Sequence, residues 1–180
     1  MTRRKIMFIA AAATVLGFVA LVGFVNQNAI FADDDDDEGQ EAMIKGLNTA
    51  KISLQQGLAA SEQEGQPISA KFEVDDGKFQ LSVYTSKDGK FKEVVVDHMY
   101  GKVAKAEPIT AGEDLAASNS QSAAMAKTKT SLKEAVDKAV AQSANARAVS
   151  AVPSLKDGHP VASIVLLDGK QFKTVQQPLD

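Results

Sequence analysis

A run of carboxylates near the start of the chain is the pattern closest to a metal site. Five Asp and one Glu occupy residues 33–38, and Gly39 follows them. An EF-hand loop needs acidic or Asn side chains at positions 1, 3 and 5, Gly at position 6 and Glu at position 12. Counted from Asp34, position 12 is Lys45, so the bidentate carboxylate is missing. The run therefore predicts a disordered acidic spacer over residues 33–40, with at most nonspecific attraction for cations.

The two histidines, His98 and His159, are the other candidate metal ligands. Each stands alone beside a predicted turn, and a metal site would require the fold to bring both together. Asp75 and Asp76 form a carboxylate pair of the kind that serves acid–base catalysis, but in a hairpin turn such a pair is typically solvated. We therefore assign no catalytic, cofactor-binding or metal-ligating residue, and we expect no cofactor.

The remaining composition narrows the class of protein further. The sequence lacks the nucleophile-elbow, zinc-protease and phosphate-loop motifs. It has no cysteine, which excludes disulfides, thiolate metal sites and cysteine nucleophiles. The formal charge of −3 becomes −6 without the basic residues of the N-terminus. An acidic protein of this kind is a poor ligand for nucleic acid or anionic lipid, so we expect neither as a partner and we do not expect an enzyme.

Residues 1–32 have the pattern of an export leader. Arg3, Arg4 and Lys5 precede an uncharged apolar run over residues 6–25, and Ala32 stands where a leader would be cut. The apolar run is also just long enough to span a bilayer. The segment is therefore either a cleaved signal peptide or an uncleaved membrane anchor. Both place the rest of the chain outside the cytoplasm, because the positive end stays inside.

Residues 41–104 are predicted to form a helix followed by three antiparallel strands. The apolar residues 44, 47, 54 and 58 lie mostly on one helical face, which predicts a helix over 41–62. Residues 68–74, 79–85 and 91–96 alternate between apolar and polar side chains, as half-buried strands do. The Asp-Gly pairs at residues 76–77 and 88–89 favour tight hairpin turns between these strands.

Residues 130–180 repeat this order of elements. Apolar residues 132, 136 and 140 predict an amphipathic helix, and Thr130 or Ser131 followed by Glu134 resembles a capping box. Strands are predicted over 148–155, 161–167 and 171–175, again with Asp-Gly turns between them. Pro153 indicates an edge or a bulge in the first of these strands.

The predicted fold class is α+β, built from two tandem units that each combine a helix with a three-stranded antiparallel sheet. Residues 105–129 connect the units, and their Ala-, Ser- and Gln-rich composition fits either a helix or a loose linker. One such unit buries too little apolar surface to be stable by itself. We therefore expect the two units to pack together.

The first unit resembles the PepSY domain family. The resemblance rests on the helix start Ile52-Ser53-Leu54, the Asp-Gly turns, and a closing Asp-x-x-x-Gly-x-Val that runs from Asp97 to Val103. The second unit is similar but lacks the closing pattern. The resemblance implies a small extracytoplasmic module with a helix packed on an antiparallel sheet and without catalytic residues. It also implies a role in regulating or inhibiting proteases.

These observations predict an exported, periplasmic or otherwise extracytoplasmic binding or regulatory module that is not an enzyme. Its partner would be a protein, such as a peptidase or a membrane sensor, bound through a sheet face or an open strand edge. Contact with the membrane would come only through an uncleaved N-terminal segment. The alternative is an extracytoplasmic metal-binding or small-ligand-binding protein that uses the acidic run or the histidines.

Overall fold

Four α-helices and seven strands follow one another in the part of the chain that the structure describes. The structure is a computed structural model, and it describes residues 36–75, 77–143 and 145–180, with the backbone alone for residues 36–38. The prediction of a protein that combines helices with an antiparallel sheet is confirmed. In chain order the elements are α1 (Asp36–Thr49), α2 (Leu54–Ser61), β1 (Gln66–Asp75), β2 (Lys78–Lys87), β3 (Lys90–Val96), β4 (Val103–Ile109), α3 (Gly112–Met125), α4 (Leu132–Ala141), β5 (Arg147–Lys156), β6 (His159–Asp168) and β7 (Gln171–Pro178).

The strands form a single sheet in the order β4-β3-β2-β1-β5-β6-β7. All neighbouring strands run antiparallel. The two meanders, β1 to β4 and β5 to β7, meet at β1 and β5, where only Ala70 pairs with Ala151 and Lys71 with Ser150. The strand pairing between the two meanders is therefore much shorter than the pairing within each of them.

Two of the Asp-Gly turns have the backbone that the sequence predicts. Asp88 and Gly89 have φ angles of 52° and 73°, and Asp157 and Gly158 have φ angles of 51° and 83°. Two consecutive residues with positive φ match the right-handed twist of the strands that they join. Asp tolerates this conformation better than most residues and glycine adopts it freely, so the sequence determines both hairpins locally.

The helices pack on both faces of the sheet. The backbone of α1 at Gly46 lies against the ring of Phe79, and the backbone of α2 at Gly57 lies against Leu81 on the same face. Helix α4 contacts α2 and extends over β5, β6 and β7. On the opposite face, Ser69 donates a hydrogen bond of 2.7 Å to the side chain of Gln121 on α3. The main core therefore lies between the sheet and the layer of α1, α2 and α4.

The structure divides the helix predicted over 41–62 into α1 and α2. Ser53 caps α2 in a full capping box with Gln56, and the N–H groups of Lys51 and Ile52 donate to the carbonyl of His98. A Ser with Gln three residues later is a sequence pattern for a helix start. Apolar residues keep helical spacing on both sides of this break, so their pattern predicted one continuous helix.

The segment between the predicted units contains a strand as well as a helix. Residues 103–109 form β4, which pairs along β3 from Phe91 to Val96, and α3 fills much of the remaining segment up to residue 129. At the other end of the fold, α1 begins at Asp36, so the second half of the segment predicted as an acidic spacer (33–40) is helical.

Pro153 lies in β5, which is a central strand of the sheet. Its partner on β6 is Ala162, and β5 pairs with β1 only at Ala151 and Ser150. Pro153 therefore lies beyond the paired stretch of β1. The absence of its N–H costs the sheet little there, because the strand behaves locally as an edge.

The predicted leader, residues 1–32, lies outside the described residues, as does the acidic run up to Asp35. Within the described ranges, the helices all fall short of the length and apolar character that a bilayer span requires.

Candidate functional site

The loop between β3 and β4 is held by hydrogen bonds at almost every residue. The Asp97 carboxylate oxygen Oδ1 accepts hydrogen bonds from the backbone N–H of Met99 at 2.7 Å and of Tyr100 at 3.1 Å. The Asp97 backbone also bonds to Gly101 at 2.7 Å and to Lys102 at 2.8 Å. A carboxylate that accepts two main-chain N–H groups fixes a turn more firmly than a neutral acceptor does.

The same loop holds the linker between α1 and α2. The carbonyl oxygen of His98 accepts from the N–H of Lys51 at 2.9 Å and of Ile52 at 3.3 Å. Gly101 has a φ of 69°, and a Cβ on it would lie 3.3 Å from the Ile52 side chain. Glycine suits both its backbone conformation and its close contact with the linker. The residues of the Asp-x-x-x-Gly-x-Val pattern therefore act structurally in this chain.

Two large apolar side chains project from this fixed loop into solvent. Met99 is 40% exposed and Tyr100 is 78% exposed. Tyrosine and methionine are among the side chains enriched at protein interfaces. Because hydrogen bonds already order the loop backbone, binding here costs little loop entropy, so this loop is suited to contact a partner.

A cleft of about 300 Å³ opens beside the same linker. Its walls come from the α1–α2 linker and the start of α2, from Val140 on α4, and from the start of β5. Arg147, the first residue of β5, is the only arginine after Arg4 and lies in its lining with Lys51. The cleft therefore has two basic residues in an acidic protein.

Arg147 bonds to the backbone at the end of α1 and in the α1–α2 linker. Its Nη1 donates to the carbonyls of Leu47 at 2.6 Å and Ala50 at 3.3 Å, and its Nη2 donates to the carbonyl of Ile52. Its guanidinium carbon lies 5.3 Å from the centre of the Phe72 ring. Among the described residues it has no ion pair with a carboxylate, and its buried Nε has no hydrogen-bond partner. Burial lowers the pKa of Arg147 from its ordinary value.

The two histidines occupy separate parts of the sheet. His98 is half-buried, its ring packs edge-on against Phe79 at 5.2 Å, and its Nδ1 is buried without a partner. His159 is exposed, and its Nδ1 lies 3.2 Å from a carboxylate oxygen of Asp180. Three strands lie between β3 and β6, which corresponds to roughly 19 Å at the usual strand spacing. Within the described ranges no group of three or more His, Asp or Glu side chains could hold a metal ion.

A group of polar side chains that the sequence analysis did not identify lies on the α3 face of the sheet. Glu93 and Tyr84 pair across β3 and β2, and burial is the main cause that raises the pKa of each. A hydrogen bond from Ser82 opposes the rise in the pKa of Glu93, and the charge of Glu73 adds to it. Asp75 is exposed at its turn, and Asp76 lies outside the described residues.

The sequence contained some indication of the β3–β4 loop and of the cleft beside Arg147. Met99 and Tyr100 lie inside the Asp-x-x-x-Gly-x-Val pattern, but their exposure depends on the hydrogen bonds of the loop. Arg147 was missed, although a single arginine among the many lysines that follow Arg4 is an indication that the planar guanidinium is required. Comparison of the chain with protein-family models, with curated proteins and with solved structures found no match.

Proposed function

We propose that the fold consists of two related PepSY-like units in tandem, the first extended by β4. The strand registers support this. Each residue pair of β1 with β2 and of β2 with β3 recurs 81 residues later, in β5 with β6 and in β6 with β7. The pair Ala70–Val83, for example, becomes Ala151–Ile164. The register shift between Pro67 and Ser69 also recurs, between residues 148 and 150.

The helix–sheet contacts repeat as well. Capping boxes begin α2 at Ser53 and α4 at Ser131. In the first unit, the carbonyl of His98 accepts two N–H groups of the preceding linker. In the second unit, the carbonyl of Leu179 accepts the N–H groups of Lys129 at 2.9 Å and Thr130 at 3.1 Å. His98 and Leu179 are again 81 residues apart, so one set of tertiary bonds occurs in both halves.

In function, the chain is an exported, extracytoplasmic binding or regulatory module without enzymatic activity, and it binds a protein partner such as a peptidase or a membrane sensor. The observation that carries this proposal is the β3–β4 loop, on which Met99 and Tyr100 are exposed while the backbone beneath them is fixed by hydrogen bonds. The leader pattern of residues 1–32 supports export. The resemblance to PepSY domains supports the regulatory role.

Photo-crosslinking in the cells that produce the protein tests this function on the full chain. We replace Tyr100 with p-benzoylphenylalanine, irradiate, and identify adducts by mass spectrometry. Leu155 is the control position, because it is also an exposed large apolar residue (41%) but lies in the other unit. We expect a reproducible adduct with one extracytoplasmic or membrane protein from position 100, and none from position 155.

A second variant separates recognition from proximity. With the crosslinker at position 99, Tyr100→Ala should reduce the yield of the same adduct at least about tenfold, since truncation of an interface tyrosine commonly removes a large share of the binding energy. Equal adducts from positions 100 and 155, or no adduct at all, would contradict the proposal.

A second candidate function is the binding of a small anionic ligand, which the cleft beside Arg147 favours. Lys51 and Arg147 provide positive charge, and Gln55 and Gln56 provide polar groups in the same lining. Calorimetric titration with acetate and phosphate tests this function, and titration with calcium, zinc and copper tests the metal-binding alternative. One-to-one binding in the micromolar range or tighter would rank ligand binding above the protein-partner proposal.

A further inference from the structure

The two outer strands of the sheet differ in what their outer edges offer. The edge strand β4 carries Pro108 opposite Lys92 of β3. A two-residue hairpin turn closes on a hydrogen-bonded pair, which here is Lys87–Lys90. Bonding towards the neighbour on each side alternates along an antiparallel strand, so the main-chain groups of Phe91 and Glu93 bond towards β4. Pro108 then occupies a position whose N–H would point away from the sheet. A proline there blocks the addition of another strand.

The edge strand β7 has no proline over residues 173–177. Its hairpin closes at the pair Asp168–Gln171, so the same alternation directs the main-chain N–H and C=O groups of Thr174 and Gln176 outward. Both residues are exposed. In the described part of the chain, β6 is the one strand that pairs with β7. An open edge with outward N–H and C=O groups is a template for a further strand.

The first unit shows how such an edge is covered. Thr174 and Gln176 correspond to Glu93 and Val95 at the separation of 81 residues that relates the two meanders. Glu93 and Val95 pair with Glu107 and Lys105 of β4. The edge that β4 covers in the first unit is therefore the edge that β7 presents in the second.

We propose that the outer edge of β7 binds an extended segment of a partner protein, in antiparallel pairing, at the position that β4 takes against β3. This inference deepens the binding function proposed above and rests on it. The segment donates and accepts main-chain hydrogen bonds at Thr174 and Gln176. It places a small apolar side chain opposite Val175, as β4 places Ala106 opposite Val94, and it has no proline at the residues that face Thr174 and Gln176.

The β4 sequence itself supplies the probe. A fluorescent peptide with the sequence of residues 102–110 is titrated against the full chain, and binding is followed by anisotropy and by amide hydrogen exchange. We expect saturable binding that slows the exchange of the Thr174 and Gln176 amides. Thr174→Pro should weaken binding at least about tenfold, because it removes an outward N–H and leaves the ladder with β6 intact. Thr174→Val retains the N–H and should bind as the unchanged protein does.

A modified peptide keeps the test valid if Thr174→Pro fails to fold. N-methylation at Lys105 and Glu107 of the peptide removes the donors that face β3 in the intact protein, so binding to the unchanged chain should be lost. Faster exchange at the Lys105 and Glu107 amides of the chain, without slower exchange at Thr174 and Gln176, would show that the peptide displaces β4 from β3 and would overturn the proposal. Absence of peptide binding would also overturn the proposal. A dimer of the protein that Thr174→Pro dissociates would overturn it as well, because the edge of β7 would then bind a second copy of this chain. Because the crosslinking at Tyr100 does not involve β7, failure of this inference is distinguishable from failure of the proposed function.

Discussion

The guanidinium of Arg147 donates a hydrogen bond of 2.6 Å to the main-chain carbonyl of Leu47, 100 residues earlier in the chain. Leu47 lies in the last turn of α1, where carbonyls lack intrahelical partners. The same guanidinium bonds to Ala50 and Ile52 in the linker that follows. One side chain at the start of β5 therefore terminates α1 and ties the two halves of the fold together.

Replacement of Arg147 by methionine should destabilise the protein. The variant retains apolar bulk over Phe72 but leaves three carbonyls without their donor, at a cost of about 1–3 kcal/mol in the free energy of unfolding. Arg147→Lys retains the charge but not the planar fork, so we expect a loss between zero and that of Arg147→Met. Urea unfolding monitored by circular dichroism gives both values. Equal stability of all three proteins would show that water replaces the guanidinium without cost.

Strands and hairpins were predictable because their determinants are local. Alternation from Ile68 to Val74 and the Asp88-Gly89 turn each specify backbone conformation within a few residues. The registers of β2 and β3 follow from the turns that precede them, which is why these elements agree with the sequence analysis.

The features that were missed depend on residues far apart in the sequence. Strand β4 contains Pro108 and charged residues, and it becomes a strand because the edge of β3 is available to pair with it. The linker that follows Thr49 is held by the carbonyl of His98. The role of Arg147 depends on its hydrogen bonds to the end of α1. The exposure of Met99 and Tyr100 follows from the hydrogen bonds of the β3–β4 loop. Patterns of spacing along one segment do not contain these tertiary partners.

Gly57 and Gly39 should respond in opposite ways to replacement by alanine. A Cβ on Gly57 would lie 2.3 Å from the buried side chain of Leu81, whereas a Cβ on Gly39 would have nothing within 4 Å. Overpacking costs about 1–3 kcal/mol, and alanine gains about 1 kcal/mol of helix propensity over glycine. Thermal unfolding should therefore show Gly57→Ala as destabilised and Gly39→Ala as stabilised. A higher melting temperature for Gly57→Ala would contradict the close packing of α2 on β2.

Removal of the Asp97 carboxylate should loosen the β3–β4 loop without unfolding the protein. Asp97→Ala deletes the acceptor for the N–H groups of Met99 and Tyr100, whereas Asp97→Asn retains one oxygen at that position. We expect hydrogen exchange at both amides to accelerate about tenfold or more in Asp97→Ala and less in Asp97→Asn, with the core strands unchanged. The crosslinking yield from position 99 should fall in parallel. Unchanged exchange in Asp97→Ala would show that the remaining backbone bonds suffice to hold the loop.

Glu93 should make the stability of the fold depend on pH. Burial raises the pKa of this carboxyl above its ordinary value, so the folded state holds the proton more tightly than the unfolded state. The resulting stabilisation is fully present below the unfolded pKa, about 4.3, and is lost as the pH rises through the folded pKa. Glu93→Gln, which mimics the protonated group, should therefore melt at a higher temperature than the unchanged protein at pH 7 and at nearly the same temperature at pH 3.5. Glu41→Gln, at an exposed position of α1, is the control for the exchange of a carboxyl for an amide. A Glu93→Gln variant that is less stable at pH 7 would mean that the hydrogen bond from Ser82 to the carboxylate outweighs the cost of burying the charge.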